Sequence, residues 1–153
     1  MGGTIVEFNF TWDQRVILLI LYLNKGGITK QKLSTLLYLV YNEIKNIEPI
    51  DPLEDLDFYI NMKTKTIEIT TLDGYFDLNS ILDNLLHVWE AIDFKTDYSM
   101  IYLTKEGYEL VKTIMNDPKL KDEVDTIIKV VSLYKDLSEQ GLINLILESL
   151  KHS

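Results

Sequence analysis

Cysteine is absent from this 153-residue sequence. That absence excludes disulfide bonds, thiolate metal sites and cysteine nucleophiles, and with them the small secreted proteins that disulfides hold together. Long apolar runs are absent too: the longest, Val16 to Leu23, has eight residues, whereas a membrane-spanning helix needs about 20. We therefore predict a cytoplasmic chain with no signal peptide and no membrane anchor.

The chain also lacks an excess of basic residues, since its net charge is −9. The acidity is concentrated in the middle third: residues 51–100 carry a net charge of −8, compared with +1 for residues 1–50 and −2 for residues 101–153. A nucleic-acid-binding protein usually presents a basic face, because neutralising phosphates supplies most of its nonspecific affinity. Any DNA-binding surface on this chain must therefore be local.

Motifs of the common enzyme classes are missing as well. The two histidines, His87 and His152, are far apart and have no metal-ligand spacing, and there is no Gly-x-Ser-x-Gly, Walker or Gly-x-Gly-x-x-Gly motif. The carboxylates of residues 51–57 are of the type that binds calcium or magnesium, but Met62 stands where an EF-hand requires glutamate. We interpret this stretch as a solvated acidic linker, and predict no enzyme activity, no metal and no cofactor.

The N-terminal third predicts two helices. Thr11 and Gln14 have capping-box spacing before an apolar run that ends at Gly26-Gly27, so the first helix is apolar on nearly all sides and should be buried. Thr29 can cap a second helix that reaches about Asn46. The apolar face of this second helix is formed by Leu33, Leu36, Leu37 and Val40.

From residue 58 the apolar pattern changes from the helical period to strict alternation. This pattern predicts a β-hairpin with Lys63 and Lys65 at its tip. Asp77 can then cap an amphipathic helix that we expect to run to Ile92. Its inward positions are Leu78, Ile81, Leu82, Leu85, Leu86, Trp89 and Ile92, and its outward positions are Asn79, Ser80, Asp83, Asn84, His87 and Glu90.

A second hairpin is predicted to lead into a further helix. Phe94-Lys95 can pair with Ser99 to Leu103 across a Thr96-Asp97 turn, and Thr104 can cap a helix that ends near Asn116. Beyond the break at Asp117-Pro118, helical periodicity returns twice. The chain should therefore end in two helices, the last of them capped by Ser138.

Two segments resemble known families. The sequence Leu103-Thr104-Lys105-Glu106-Gly107 is similar to the Leu-Thr-x-x-Gly ending of the second wing strand in winged-helix domains. The segment from Ile28 to Tyr38 resembles the opening motif of the Panacea antitoxin domains and related archaeal winged-helix-like proteins, matching at Lys32, Leu33, Leu36, Leu37 and Tyr38. The resemblance implies an α+β fold that is mostly α. It would have a winged-helix-like core with a β-hairpin at 1–116, and two extra C-terminal helices at 117–153 that pack on the core or form a dimer interface.

The predicted function is that of a winged-helix DNA-binding protein, a transcriptional regulator that contacts double-stranded DNA through the second helix and the wing. The candidate contacts are Lys30, Gln31, Lys32, Ser34 and Thr35 on the second helix, Lys63 and Lys65 at the hairpin tip, Asn79 and Asn84 on the helix that follows, and Lys95 in the wing. Each lysine also fits an ordinary solvated side chain. The helix that begins near Asp77, which would be the recognition helix, offers no arginine or lysine.

A homodimer is predicted from the apolar character of the last helix, because its apolar residues exceed what one side of a small core needs. The candidate interface residues are Leu142, Ile143, Ile146, Leu147 and Leu150. The alternative function is an acidic protein-protein interaction module, antitoxin-like or adaptor, that binds no DNA. The Panacea resemblance implies that class, and the acidic middle third suits a basic protein partner.

Overall fold

A computed structural model describes residues 10–47, 55–71, 77–95 and 100–151. The described residues form an α+β fold that is mostly helical, with six α-helices and two small antiparallel sheets, as the sequence predicts. In chain order the elements are α1 (Trp12–Leu23), β1 (Ile28–Thr29), α2 (Lys30–Ile44), β2 (Leu56–Asn61), β3 (Thr66–Thr71), α3 (Leu78–His87), β4 (Ile92–Lys95), β5 (Met100–Leu103), α4 (Lys105–Met115), a 3-10 turn (Pro118–Leu120), α5 (Lys121–Tyr134) and α6 (Glu139–Lys151).

Some predictions concern residues outside the described ranges. These are the acidic linker at 51–54 and the Thr96-Asp97 turn with Ser99. They remain predictions.

Helix α1 is the centre of the hydrophobic core, as its sequence predicts. The side chains from Val16 to Ile20 are fully buried, and the Gln14 side chain accepts a hydrogen bond from the Thr11 backbone N–H at 3.2 Å. The helix ends before Gly26 and Gly27, whose φ angles are +94° and +97°. These angles suit glycine, because other residues rarely adopt them.

A three-stranded antiparallel sheet joins distant parts of the chain. Its strand order is β1-β5-β4, with Thr29 and Lys95 both opposite Met100. Strand β1 therefore places the start of α2 beside the hairpin formed by β4 and β5. The predicted pairing of Phe94-Lys95 with the second strand is confirmed.

The hairpin of β2 and β3 packs along α2. Phe58 of β2 contacts the rings of Tyr38 and Tyr41, with centroid distances of 5.2 and 5.1 Å, while Ile67 and Ile69 of β3 are buried. The predicted hairpin is confirmed, and Lys63 and Lys65 lie in the turn between its strands.

Helix α3 is shorter than predicted. Asp77 caps it as expected, since its carboxylate accepts from the Ser80 N–H at 2.8 Å, but the helix ends at His87 and not at Ile92. Glu90 then adopts a φ of +53°, and Ile92 pairs with Leu103 in the sheet. The prediction was wrong at this end because Ile92 continues the helical apolar spacing and also fits a buried strand position.

The last two helices share the core of the rest of the chain. Four of the five candidate interface residues on α6 are buried within the same chain: Leu142, Ile143, Ile146 and Leu147. The fifth, Leu150, is 38% exposed. Helix α6 packs against α2, and α5 packs against α1 and α2. The prediction that these residues exceed the needs of one core is therefore wrong, and they cannot serve together as a dimer interface in this fold.

Candidate nucleic-acid interface

The two lysines at the start of α2 point towards different neighbours. Lys30 and Lys32 are two positions apart, which is about 200° around a helix. The Lys30 ammonium donates a hydrogen bond to the Asn79 side-chain oxygen on α3, whereas the Lys32 ammonium donates to the backbone carbonyl of Lys135 at the end of α5. The candidate lysines of α2 therefore belong to two separate surfaces.

The Lys30 side of α2 faces a solvent-open cavity between three elements. Its volume is ≈ 570 Å³, and its lining comes from α2, β3 and the start of α3. The lining residues are Lys30, Gln31, Ser34, Ile67, Glu68, Ile69, Asp77, Leu78 and Asn79. The structure thus brings together four candidate residues, Lys30, Gln31, Ser34 and Asn79.

The hairpin tip lies at the same end of α2. Lys63 and Lys65 are exposed, and Lys65 precedes by two residues Ile67, which lines the cavity. Two strand residues span about 7 Å, so the tip lysines extend the surface that begins at Lys30. We call the set Lys30, Lys63, Lys65 and Asn79 the α2–α3 edge.

Acidic groups are present at the α2–α3 edge as well. Glu68 and Asp77 line the same cavity as Lys30. Hydrogen bonds from the Ser80 backbone N–H and hydroxyl hold the pKa of Asp77 below its ordinary value, and the charge of Lys30 lowers it further. Asp77 is therefore ionised at neutral pH, and the edge has three lysines opposed by two carboxylates.

Three of the polar residues predicted to contact DNA make hydrogen bonds within the protein instead. Ser34 and Thr35 are buried, with 3% and 0% exposure, and their hydroxyls donate to the carbonyls of Lys30 and Gln31. The Asn84 side-chain oxygen accepts from Gln14 on α1 at 2.6 Å. The prediction that Ser34 and Thr35 face a ligand is therefore wrong for this conformation, and Asn84 joins α3 to α1.

The two remaining candidate residues are Gln31, which is partly buried, and Lys95, which is exposed. The side-chain nitrogen of Gln31 is buried without a hydrogen-bond partner among the described residues, so it is not presented to solvent. The Lys95 ammonium donates to the Gly26 carbonyl at 3.2 Å and lies 4.9 Å from the centroid of the Tyr102 ring. Lys95 therefore lies beside the turn between α1 and β1.

The outward face of α3 carries little positive charge. Its exposed residues are Asn79, Asp83 and His87, and Val88 and Glu90 are exposed just beyond its end. This face would repel phosphates, and it would do so least if the helix approached DNA by its N-terminal end, where Asn79 and Lys30 lie.

The sequence reasoning missed the role of the chain's one arginine. The Nε and Nη2 groups of the Arg15 guanidinium each donate to a carboxylate oxygen of Glu123 on α5 at 2.7 Å, Nη1 donates to the Phe10 carbonyl at 2.6 Å, and Glu123 is only 3% exposed. Arginine is the residue that most often reads guanine in the major groove, but this one is committed to a buried ion pair. The sequence did contain a signal for this buried ion pair. The chain has 14 lysines but a single arginine, and arginine is preferred for buried bidentate pairs with a carboxylate.

Other kinds of site have no support in the described part of the chain. No group of three or more histidines, aspartates or glutamates there could hold a metal ion. Likewise, none of the helices within the described ranges is both long and apolar enough to cross a membrane.

No family model matches the sequence, and comparisons with curated proteins and with solved structures found no match either. The function must therefore be argued from the geometry of the residues.

Proposed function

We propose that this chain is a winged-helix DNA-binding protein with an inserted β-hairpin, a transcriptional regulator that contacts double-stranded DNA through the α2–α3 edge. The observation that carries the proposal is the order of the elements. A helix, a short strand, two helices and a two-stranded wing follow one another in a winged helix, and the short strand pairs with the wing. Here α1, β1, α2, α3, β4 and β5 follow that order, with the sheet order β1-β5-β4.

The Leu-Thr-x-x-Gly resemblance has a physical basis that supports the proposal. Thr104 caps α4 by accepting from the Gly107 N–H at 3.1 Å, and its own N–H donates to the Ala91 carbonyl at 3.0 Å. A Cβ at Gly107 would lie 2.1 Å from that same carbonyl oxygen. The motif therefore joins the end of the wing to the segment that precedes it.

The α2–α3 edge supplies the chemistry for binding DNA. Lysine ammoniums bind phosphates as point charges, and an asparagine amide can pair with an adenine edge in the major groove. The hydrogen bond between Lys30 and Asn79 is exposed, so releasing both groups to a duplex costs little. With few lysines and no available arginine, we expect modest, strongly salt-dependent affinity.

The test is fluorescence anisotropy of the protein with random-sequence duplex DNA over a salt series. We expect binding that weakens as salt rises, and a variant with Lys30→Ala, Lys63→Ala and Lys65→Ala that binds on the order of tenfold or more weakly. Removing three phosphate contacts should make the slope of log K against log salt shallower by about 2.7. Lys32 is left unchanged, because its contact with α5 belongs to the fold.

The matched control removes three other exposed lysines, Lys112, Lys119 and Lys121, and so changes the net charge equally. Lys121 is the first residue of α5, about 20 Å along that helix from the contact with Lys32, and Lys112 and Lys119 lie in the last turn of α4 and in the 3-10 turn that precedes α5. The control should bind as the wild type does. Equal losses in both variants would mean that only net charge matters, and no binding at low salt would refute the proposal.

The second candidate function is a protein-docking module for a basic partner. The exposed residues at the end of α3 favour it, since Val88 is 67% exposed between His87 and Glu90. Under that function, the protein would fail to bind duplex DNA at low salt. It would bind a basic protein through this surface, and Val88→Asp would abolish that binding without lowering the melting temperature.

A further inference from the structure

A second group of lysines comes together on the other side of α2. Lys25, in the turn after α1, and Lys135, at the end of α5, line one cleft of ≈ 540 Å³. The Lys32 ammonium donates to the Lys135 carbonyl, and the Lys95 ammonium donates to the carbonyl of Gly26, next to Lys25. We call these four residues, Lys25, Lys32, Lys95 and Lys135, the turn cluster.

Few negative charges oppose the turn cluster. The other residues that line the cleft are Tyr22, Leu23, Asn24 and Asp136, so Asp136 is the one carboxylate among them. Asp136 is 91% exposed and lies 3.9 Å from the Lys135 ammonium, and an exposed ion pair of this kind contributes little. Asp93 lies two residues before Lys95 on β4 and accepts from the Tyr102 hydroxyl at 3.4 Å. Four lysines near two carboxylates form a local excess of positive charge in a chain of net charge −9.

The lysines of the turn cluster keep donors available for an anion. An ammonium group has three N–H donors and no acceptor. Lys32 and Lys95 each use one donor on a backbone carbonyl, which fixes the position of the ammonium and leaves two donors. Lys25 is exposed and lies on the rim of the cleft, where it can reach a larger anion.

The position of the turn cluster relative to the α2–α3 edge favours duplex DNA as the anion. Lys30 and Lys32 leave the same end of α2 on opposite sides, so the two lysine groups are separated by about the diameter of a helix, 10–12 Å. The major groove is about 12 Å wide. An end-on approach of α2 to the groove would place one lysine group near each phosphate strand.

We propose that the turn cluster binds the phosphodiester backbone of the duplex as a second contact, independent of base sequence, on the strand across the groove from the α2–α3 edge. This inference rests on the proposed function, since it requires that duplex DNA is the ligand. It adds to that function two residues, Lys25 and Lys135, that the sequence does not single out.

The experiment compares the full chain with Lys25→Ala/Lys135→Ala in the same anisotropy assay and salt series. Lys32 and Lys95 are kept because their carbonyl contacts support the fold. We expect about tenfold weaker binding and a salt slope shallower by about 1.8, which is the loss of two phosphate contacts. The charge-preserving Lys25→Arg/Lys135→Arg variant and the distant Lys119→Ala/Lys121→Ala variant should both bind as the wild type does.

Each other outcome overturns the inference in a distinguishable way. If the wild type binds and the Lys30, Lys63 and Lys65 variant is weakened, but Lys25→Ala/Lys135→Ala binds unchanged, the inference fails and the proposed function stands. If the wild type binds no duplex at low salt, both fail. If it sediments instead with phosphatidylserine vesicles, and the Lys25→Ala/Lys135→Ala variant does not, the turn cluster is a lipid-binding surface. Melting temperatures equal to that of the wild type verify that the variants are folded.

Discussion

Gly107 occupies the most constrained position among the glycines of the described chain. A Cβ there would lie 2.1 Å from the Ala91 carbonyl oxygen and 2.8 Å from a methyl carbon of Leu103. Because the nearest atom belongs to the backbone, α4 would have to move away from the segment before β4. At the scale of single residues, the junction of β5 with α4 therefore requires that position 107 has no side chain.

We predict that Gly107→Ala lowers the free energy of unfolding by about 2–3 kcal/mol, in the range of overpacked cores, as measured by urea denaturation. Gly141→Ala is the matched control, because Gly141 also donates its N–H to a capping hydroxyl three residues earlier, that of Ser138. Its Cβ would lie 3.3 Å from that hydroxyl oxygen and 3.8 Å from the next atom. We expect a change within about 1 kcal/mol there, and equal effects of the two substitutions would contradict the steric account.

The capping residues could be predicted from the sequence, whereas the steric requirement for glycine at position 107 could not. Thr29, Asp77 and Thr104 each accept from a backbone N–H three residues later, and such contacts depend on local sequence alone. The steric limit on Gly107 comes from Ala91, 16 residues earlier, which lies nearby only because β4 pairs with β5. The burial of Ser34 and Thr35 could not be predicted either, because the residues that surround them belong to elements distant in sequence.

Helix α5 is joined to α1 by the ion pair of Arg15 with Glu123. We predict that Arg15→Ala lowers the free energy of unfolding by about 3–5 kcal/mol, because it leaves a buried carboxylate without its cation. The double substitution Arg15→Met/Glu123→Leu should recover most of that loss, since apolar residues can replace a buried ion pair. Urea denaturation of the three proteins at neutral pH measures both effects.

The exposed pair of Lys112 with Glu109, 3.3 Å apart on α4, provides the control for the buried one. Exposed pairs contribute about 0–1 kcal/mol, so Glu109→Ala should change stability little. If Arg15→Ala cost no more than Glu109→Ala, Glu123 would have to be accessible to water in solution, contrary to its 3% exposure.

Elements with strong local signals were predicted well, including the pairing of Phe94-Lys95 with β5, whereas the end of α3 was not. The starts of α1, α2, α3 and α4 follow capping residues, and the hairpin of β2 and β3 follows alternation. The end of α3 depends on whether Ile92 continues a helix or pairs with Leu103. Both options bury Ile92, so periodicity cannot choose between them. For the same reason, the apolar stripe of α6 could not be assigned to a core or to an interface from sequence.

At the scale of the whole molecule, the candidate site is a small basic region on an acidic protein. The sequence predicted that any DNA-binding surface would be local, and it named Lys30, Lys63, Lys65 and Asn79, which the fold brings to one end of α2. It could not predict that Lys30 and Lys32 diverge, because the direction of each depends on α3 and α5. A net charge of −9 opposes DNA only where carboxylates approach phosphates, since exposed charges are screened beyond about 10 Å at 0.1 M salt.

Because screening limits each carboxylate to nearby phosphates, neutralising individual carboxylates can show how the protein is oriented on DNA. If the N-terminal end of α3 enters the groove, Asp83 and Glu90, which are exposed on and just after α3, lie close enough to phosphates to repel them. Asp83→Asn/Glu90→Gln should then strengthen binding to random duplex DNA by about three- to tenfold at low salt, because like charges a few ångströms apart in water repel by about 1 kcal/mol. The gain should shrink as salt rises.

The control for orientation neutralises two exposed carboxylates at the start of α5, Asp122 and Asp125. They lie near the end of α5 opposite its contact with Lys32, so Asp122→Asn/Asp125→Asn should leave the affinity nearly unchanged at 0.1 M salt. A gain from both variants would indicate that the acidic charge acts as a whole and not at a particular face. A gain from neither, with DNA binding intact, would mean that α3 faces away from the duplex and that α2 and the hairpin tip form the contact without it.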